Sequence, residues 1–479
     1  MALLRRCTVH NLPDELVTHA LSFLTFRELL TAAQVSQRWR DLGIEHHNFW
    51  KYILITSATR GQVELLRARL GQSNGRPFHL KVDIEGRNPL IPKDILSLVN
   101  CMLDAVEILN IRLESWYLTE VYRVLNRAAP KLEKFSIMFY SPDRILPLIT
   151  LYSWIFASSP GNLRTVNITD VLLPSHKREI PAFTTVDSVV YTLPSSVVMP
   201  AWPSYLFEHF PNMSSLYLEG GRITFGDKKL SELDINGLAQ LAVLDVTFHP
   251  DTTAEIIRRL PIQEIPHVLI GCESGVDFDT VYDLLEPLRS PFHLSLLSAF
   301  PDEFWIIVEE VFTGNQRVYA EAVSRWPLNR DETVEMPNVI LDNPDLPGQL
   351  QSLGISATMW PRVVPYLTLF TTIETLVLEF DQVHKACHNA LPEYPFTCPL
   401  VHTLVLDARF DIEWINADDL VTFADRIAPN CRHVELRRVM IEGRDRLGAR
   451  FETVKSVDGR RWTHQSSFTA RERGTARIE

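Results

Sequence analysis

Pro211-Asn-Met-Ser-Ser-Leu-Tyr-Leu218 and Pro429-Asn-Cys-Arg-His-Val-Glu-Leu436 share one pattern although they lie far apart: a proline, then apolar side chains two, five and seven residues later. The alternation at the end of each predicts a strand with one buried face. Proline ends the preceding helix and has no N–H to give a ladder, so it belongs at the entry of that strand. The same apolar-x-x-apolar-x-apolar spacing begins at Val106, Leu132, Leu163, Val186, Met213, Leu241, Ile265, Pro291, Met336, Ile373, Val401 and Cys431. Most intervals are roughly 23–31 residues, the mark of a repeat. The long interval after Pro291 leaves room for a degenerate unit at Arg317–Ala322. Pro130 and Pro399 also stand two residues before a unit, and Pro160 three before. Between units, Tyr117, Val121, Val124 and Leu125, or Leu420, Phe423, Ala424 and Ile427, are spaced as helices. The order strand, turn, helix, proline, strand predicts an α/β chain with parallel strands.

The chain has 479 residues, 46% of them hydrophobic and 22% charged, so it can bury a large core and is not a disordered protein. Its formal charge of −12 opposes the phosphate attraction on which general nucleic-acid binding rests. The most apolar run, Tyr366–Phe380, is too short to span a bilayer and contains Glu374, so no membrane insertion is expected. Met1-Ala-Leu-Leu-Arg-Arg-Cys7 lacks the apolar stretch of a secretory signal. Cys7, Cys101, Cys272, Cys387, Cys398 and Cys431 are scattered, without the spacing of a disulfide framework or zinc ribbon. Reduced thiols and a cytoplasmic or nuclear location, or both, are the expectation.

Asn11–Ile53 is different in kind. Pro13 suits a first helical turn, and Asp14 and Glu15 sit where the helix dipole favours anions. Thr25-Phe-Arg-Glu28 is a capping-box sequence that predicts a second helix, with Leu29, Leu30, Ala33, Val35 and Trp39 along it. About 45 residues cannot bury that much apolar surface alone, so the segment must dock on the rest of the chain or on another protein. Leu12-Pro-Asp-Glu-Leu16, Leu21-Ser-Phe-Leu24, Glu28-Leu-Leu30, Ala32-Ala-Gln-Val-Ser36, Arg38-Trp-Arg40 and Trp50-Lys51 resemble an F-box nearly position by position. The resemblance implies a three-helix module at residues 8–55 that packs on a Skp-type adaptor and, through it, on cullin and RING subunits. It points to Leu12, Pro13, Leu16, Leu24, Leu29, Leu30, Val35 and Trp39 as the adaptor-binding side chains, with Trp50 supporting the module from within.

The strand units resemble an irregular leucine-rich repeat of the kind that follows an F-box in the large fungal families. Where regular repeats place Asn or Cys in the turn, this chain has Glu114, Tyr140, Val171, Gly221, His249, Asp381, Arg409 or Val439, so irregular turns are expected. The implied organisation is a linker and first capping segment at 56–100, and a solenoid at 101–441 with a parallel sheet on its concave side. A β-hairpin follows at 442–468, around Asp458-Gly459, and a loose tail at 469–479. A compact α/β domain with spaced parallel strands is the alternative.

Two constellations were weighed for chemistry. Gly71-Gln-Ser73-Asn-Gly75 has the letters of a nucleophile elbow, but the helical Val63–Leu70 before it and Arg76-Pro77 after it are the wrong context. His384, Cys387, His388, Cys398 and His402 have zinc-compatible donors with no common ligand spacing. Neither a catalytic residue, a cofactor nor a metal is therefore expected. The sequence predicts the non-catalytic substrate-recognition subunit of a Skp–cullin–F-box ubiquitin ligase, whose protein target binds the strand face or the loops at its rim. The alternatives are an F-box and repeat scaffold outside a ligase and, more remotely, a serine hydrolase around Ser73.

Overall fold

The computed structural model describes residues 12–457, apart from 58, 85–89, 141–147, 160, 175–178, 195–196, 200, 226–228, 273–277, 301–302, 323–345, 347, 364–371, 381–390, 392–397 and 409–412. The chain divides into two units, Met1–Val198 with Pro203–Gly221, and Met199–Trp202 with Arg222–Glu479.

The first unit opens with α1 (Asp14–Leu21), α2 (Phe26–Ala32), α3 (Gln37–Glu45) and α4 (His47–Trp50). A β/α alternation follows: β1 (Tyr52–Ile55), α5 (Arg60–Ser73), β2 (Phe78–Ile84), α6 (Leu90–Met102), β3 (Val106–Glu114), α7 (Leu118–Leu125) and β4 (Lys134–Tyr140). Beyond it come the short β5 (Ile149–Thr150), then β6 (Thr165–Thr169), β7 (Val171–Leu172), β8 (Ser188–Thr192), β9 (Val198–Met199) and β10 (Ser215–Glu219). Strands β1, β2, β3, β4, β6, β8 and β10 pair in that order, all parallel. The expected alternation is present: Leu109, Ile111, Phe135, Ile137, Val166, Ile168, Leu216 and Leu218 are buried, while the residues between them are partly exposed. Val63, Leu66 and Leu70 of α5 and Val121, Val124 and Leu125 of α7 are buried as well, so these helices are amphipathic layers on that core.

In the second unit, β11 (Arg222–Ile223) precedes β12 (Val243–Phe248), β13 (His267–Cys272), β14 (Phe292–Phe300), β15 (Glu303–Glu310), β16 (Gln316–Ala322) and β17 (Leu350–Ser356). After these stand β18 (Thr375–Phe380), β19 (Thr403–Ala408), β20 (Glu413–Asn416), β21 (His433–Arg437), β22 (Val439–Glu442) and β23 (Thr453–Val457). The foreseen helix before Pro429 is Ala417–Ile427, capped by the Asn416 side chain. Strand β12 pairs with β13 and β13 with β16, both parallel; β14, β17, β18, β19, β21 and β23 form a second parallel run.

The two runs are joined by β15, antiparallel to both β14 and β16, which corrects the expectation of a wholly parallel sheet. The cause is local. Parallel neighbours need a long crossover, whereas tight turns make hairpins. The β15–β16 turn is such a hairpin: Glu310 accepts from the Asn315 side chain at 3.2 Å, from the Arg289 N–H at 2.5 Å and from the Thr313 hydroxyl, and Gly314 adopts φ +72°. The degenerate unit at Arg317–Ala322 lies within β16, and the unit at Met336 lies outside the described residues. Of the main-sheet strands, β1, β2, β15 and β17 have no counterpart among the units read from the sequence. Asp458, Gly459 and the return arm of the expected hairpin also fall outside; the arm that is described, β23, pairs in parallel with β21. Among the described residues, no helix is long and apolar enough to cross a membrane.

Candidate functional site

The amino-terminal helices are tied together by polar contacts that leave apolar side chains outward. The Thr25–Glu28 capping box forms as expected, with the Glu28 carboxylate accepting from the Thr25 N–H at 2.8 Å and Thr25 Oγ1 accepting from the Glu28 N–H at 3.4 Å. The Thr25 N–H, and the Thr25 hydroxyl donating to the same carboxylate at 2.8 Å, hold the Glu28 carboxyl below its ordinary range. The second helix is shorter than expected. Ser36 accepts from the Trp39 N–H at 3.2 Å and starts α3, so Val35 lies in the turn before it and Trp39 in its first turn, not along one helix. Arg38 of α3 donates to Asp14 at 2.7 Å and to the Leu12 carbonyl, pinning the entry of α1. The Asn48 amide reaches the Leu24 carbonyl at 3.2 Å and the Ser22 carbonyl at 3.4 Å, pairing groups that the end of α1 leaves open.

Within that frame Val17, Leu21, Leu29, Phe49 and Trp50 are buried. Trp50 therefore supports the module from inside, as expected. Leu29 was expected on the docking face, but it is only 1% exposed. Its side chain lies beside Gly43 and Ala33, where α2 packs on α3, and it has no surface to offer a partner. Leu16 and Val35 are 54% and 67% exposed, Pro13 is exposed, and Leu12, Leu24, Leu30 and Trp39 are partly exposed. Within the amino-terminal helices the most exposed apolar side chain described is Phe23 at 76%, in the turn after α1, which touches the His19 ring edge-on. Phe23 lies within Leu21-Ser-Phe-Leu24 but is not among the side chains to which the resemblance points. The signal available was a large aromatic one residue after the helix ends, where no turn buries it.

Arg69 of α5 locks the module to the first strand. Its guanidinium donates to the carbonyls of Phe49 and Tyr52 and lies 3.9 Å from the centre of the Phe26 ring. Burial pushes it down to about 10, still cationic at neutral pH. The sequence gives no hint of this role, because Arg69 sits among Arg60, Arg67 and Arg76 and looks like a solvated residue.

Beyond the helices, the two strand faces differ. In the first unit the residues opposite the core stay partly exposed, and they line up in rows by register. One row is Lys81, Asn110, Ser136, Asn167, Val190 and Tyr217; the next is Asp83, Arg112, Met138, Thr169, Thr192 and Glu219. Over β2 and β3 its charges are internally paired, Lys81 and Arg112 lying 3.6 and 3.7 Å from Asp83, and the His79 ring hydrogen-bonds Glu107 at 3.1 Å. In the second unit the corresponding face is filled from β13 to β17, while over β21 and β23 it stays partly exposed. Leu269, Trp305, Ile307, Val318 and Ala320 form a buried cluster against Leu297, and Ser352, Ser356, Val377 and Val405 are buried too. A Cβ added at Gly271 would lie 2.3 Å from Thr247 Oγ1, which shows how tightly that face is filled.

Ser73 ends α5 fully buried, with its hydroxyl donating to the Leu70 carbonyl at 2.8 Å, and so lacks the exposed strand-to-helix turn of an activated serine. Of the sulfur and imidazole cluster, His384, Cys387 and His388 lie outside the described residues. Cys398 is buried, its thiol pushed up to about 12 by desolvation, and His402 is exposed. Among the described residues, no three His, Cys, Asp or Glu side chains are placed to hold a metal ion.

No curated protein matches the chain. Residues 9–56, which span α1 to β1, match the F-box-like family model, so the chain carries an F-box-like domain.

Proposed function

We propose that the chain is the substrate-recognition subunit of a Skp–cullin–F-box ubiquitin ligase. The F-box-like domain binds a Skp-type adaptor, which recruits the cullin and RING subunits, and the strand-bearing remainder holds a protein target. The observation that carries this reading is the split within α1–α3: Leu29, Val17 and Leu21 are sealed inside, while Leu16, Phe23 and Val35 remain in water. Large apolar side chains held outward by a rigid frame are what an interface core requires. The docking set is thus Leu12, Pro13, Leu16, Leu24, Leu30, Val35 and Trp39 with Phe23 added, and Leu29 supports it from behind. The subunit performs no bond chemistry of its own. By tethering, it raises the concentration of a target lysine near the charged conjugating enzyme, in the cytoplasm, the nucleus or both.

The test is affinity purification of the wild-type chain beside Leu16→Glu/Val35→Glu, with quantification of adaptor and cullin. Both should be lost from the variant while its thermal unfolding is unchanged, because both positions are exposed. Retention of the adaptor would refute the assignment, and retention of the adaptor without cullin in the wild type would favour a scaffold outside a ligase.

A further inference from the structure

The open strand face of the first unit becomes more specific at its far edge. Asp170 follows β6 with φ +57°, a left-handed conformation that Asp adopts more readily than most residues. Its N–H donates to the Thr192 carbonyl at 3.0 Å, which fixes it beside β8. On the other side of Thr192, and in register with it, stands Glu219 of β10. The next strand in each direction is about 5 Å away, so the two carboxylates flank Thr192 from opposite sides.

Along β6–β10 the other described residues of this face are uncharged. Thr165, Asn167 and Thr169 of β6, Ser188, Val190 and Thr192 of β8, and Ser215 and Tyr217 of β10 make up the partly exposed face. Burial and the charge of Glu219 both push the Asp170 carboxyl above its ordinary range. Over β2 and β3 the face differs, with Lys81 and Arg112 beside Asp83. The face therefore carries hydroxyl, amide and tyrosine groups along β6–β10 and two carboxylates at one end.

We infer that this face receives an extended segment of the target protein that places a lysine or arginine over Thr192, between Asp170 and Glu219, with uncharged residues lying along β6–β10. The inference rests on the receptor reading and names the chemistry of its target. The net charge of −12 acts in the same direction, steering basic segments toward the chain. A cation beside the partly buried Asp170 carboxylate is held more firmly than at an open surface, where screening leaves such pairs weak, and the exposed Glu219 adds to the attraction.

The experiment uses the full chain bound to its adaptor and a phage-displayed library of random dodecapeptides. Selected peptides should share a lysine or arginine within an otherwise uncharged stretch. A synthetic copy of the leading peptide should bind Asp170→Asn/Glu219→Gln about tenfold or more weakly, since each tenfold is about 1.4 kcal/mol. Asn tolerates the left-handed backbone, so this variant keeps its thermal midpoint. Selection against Glu219→Lys should enrich acidic peptides instead. Failure to enrich a basic residue, or equal binding by the double variant, overturns the inference. Adaptor retention is measured on the same samples, so loss of the adaptor with peptide selection intact refutes the receptor reading alone.

Discussion

The sharpest expectation concerns three leucine or valine side chains that look equivalent in sequence. Leu16 and Val35 are 54% and 67% exposed, whereas Leu29 is at 1%. Fully burying such a side chain contributes about 1.5–3 kcal/mol, so covering the exposed fractions is worth about 1–2 kcal/mol each. Leu16→Ala/Val35→Ala should therefore weaken adaptor binding by about 2–4 kcal/mol, roughly thirtyfold to several hundredfold. Its folding stability should be almost unchanged. Leu29→Ala should do the reverse, costing about 2–5 kcal/mol of folding through the cavity left between α2 and α3. Its adaptor affinity, measured where the protein is still folded, should fall much less. Calorimetric titration with purified Skp-type adaptor reads the first quantity, and chemical denaturation the second. A double variant that binds within about threefold of wild type, a shift well under 1 kcal/mol, would refute the reasoning. So would a Leu29→Ala variant that loses adaptor without losing stability.

Other expectations follow from single sites. Arg69→Leu leaves the Phe49 and Tyr52 carbonyls without their donor and should cost about 2–6 kcal/mol at about 1–3 kcal/mol per buried orphaned group, read by denaturation. A loss below about 0.5 kcal/mol would show that the two carbonyls find other partners. Gly271→Ala should destabilise by about 1–3 kcal/mol because its Cβ meets Thr247 Oγ1 at 2.3 Å, and adding Thr247→Ala should recover most of the loss. Burial lowers the pKa of His46, His79, His209 and His267. The unfolded chain therefore binds protons first, so their contribution is complete above the ordinary histidine pKa and is lost as pH falls through the depressed folded values. Thermal unfolding at pH 5.5 and 7.5 should show a lower midpoint at the acid end, and a flat or rising profile would contradict the burial of these rings.

The strand units were legible because each carries its signal within eight residues: a proline or loop, one buried residue, then two more in alternation. Leu404 and Leu406, for example, are fully buried where that pattern put them. The second helix was misread because Leu29 to Trp39 is apolar enough to suggest one element, while Ser36 cuts it through a single hydroxyl bond to the Trp39 N–H. Phe78-His-Leu-Lys-Val-Asp-Ile84 alternates cleanly behind Pro77, so β2 was readable and was lost only to the polar stretch before it. Strand β17 is different. Gly354 reads as a break in a strand, yet a Cβ there would lie 2.8 Å from Ser295 Oγ, so the glycine records a close neighbour on another strand. No local pattern contains that contact. The same is true of the filled part of the second unit's face, where Trp305, Ile307 and Val318 are brought together by β15 running antiparallel.

Arg69 shows why the F-box-like domain and the open strand face belong to one mechanical argument. A flexible joint between an adaptor plug and a target site dilutes the tethered target over every orientation the joint allows. Here the chain leaves α4 at Trp50 and enters β1 at Tyr52 with almost no linker. Arg69 bonds the carbonyls on both sides of that junction and lies against Phe26 of α2, so three elements share one buried cation. Strand β1 then pairs with β2, which begins the parallel ladder that continues to Glu219. In the proposed receptor the helices cannot turn relative to that ladder without breaking charge-assisted bonds, each worth about 1.5–3 kcal/mol. Loss of Arg69 should therefore reduce target ubiquitylation more than it reduces either adaptor or target affinity. A variant whose ubiquitylation rate falls only in proportion to those affinities would show that the junction's stiffness plays no part.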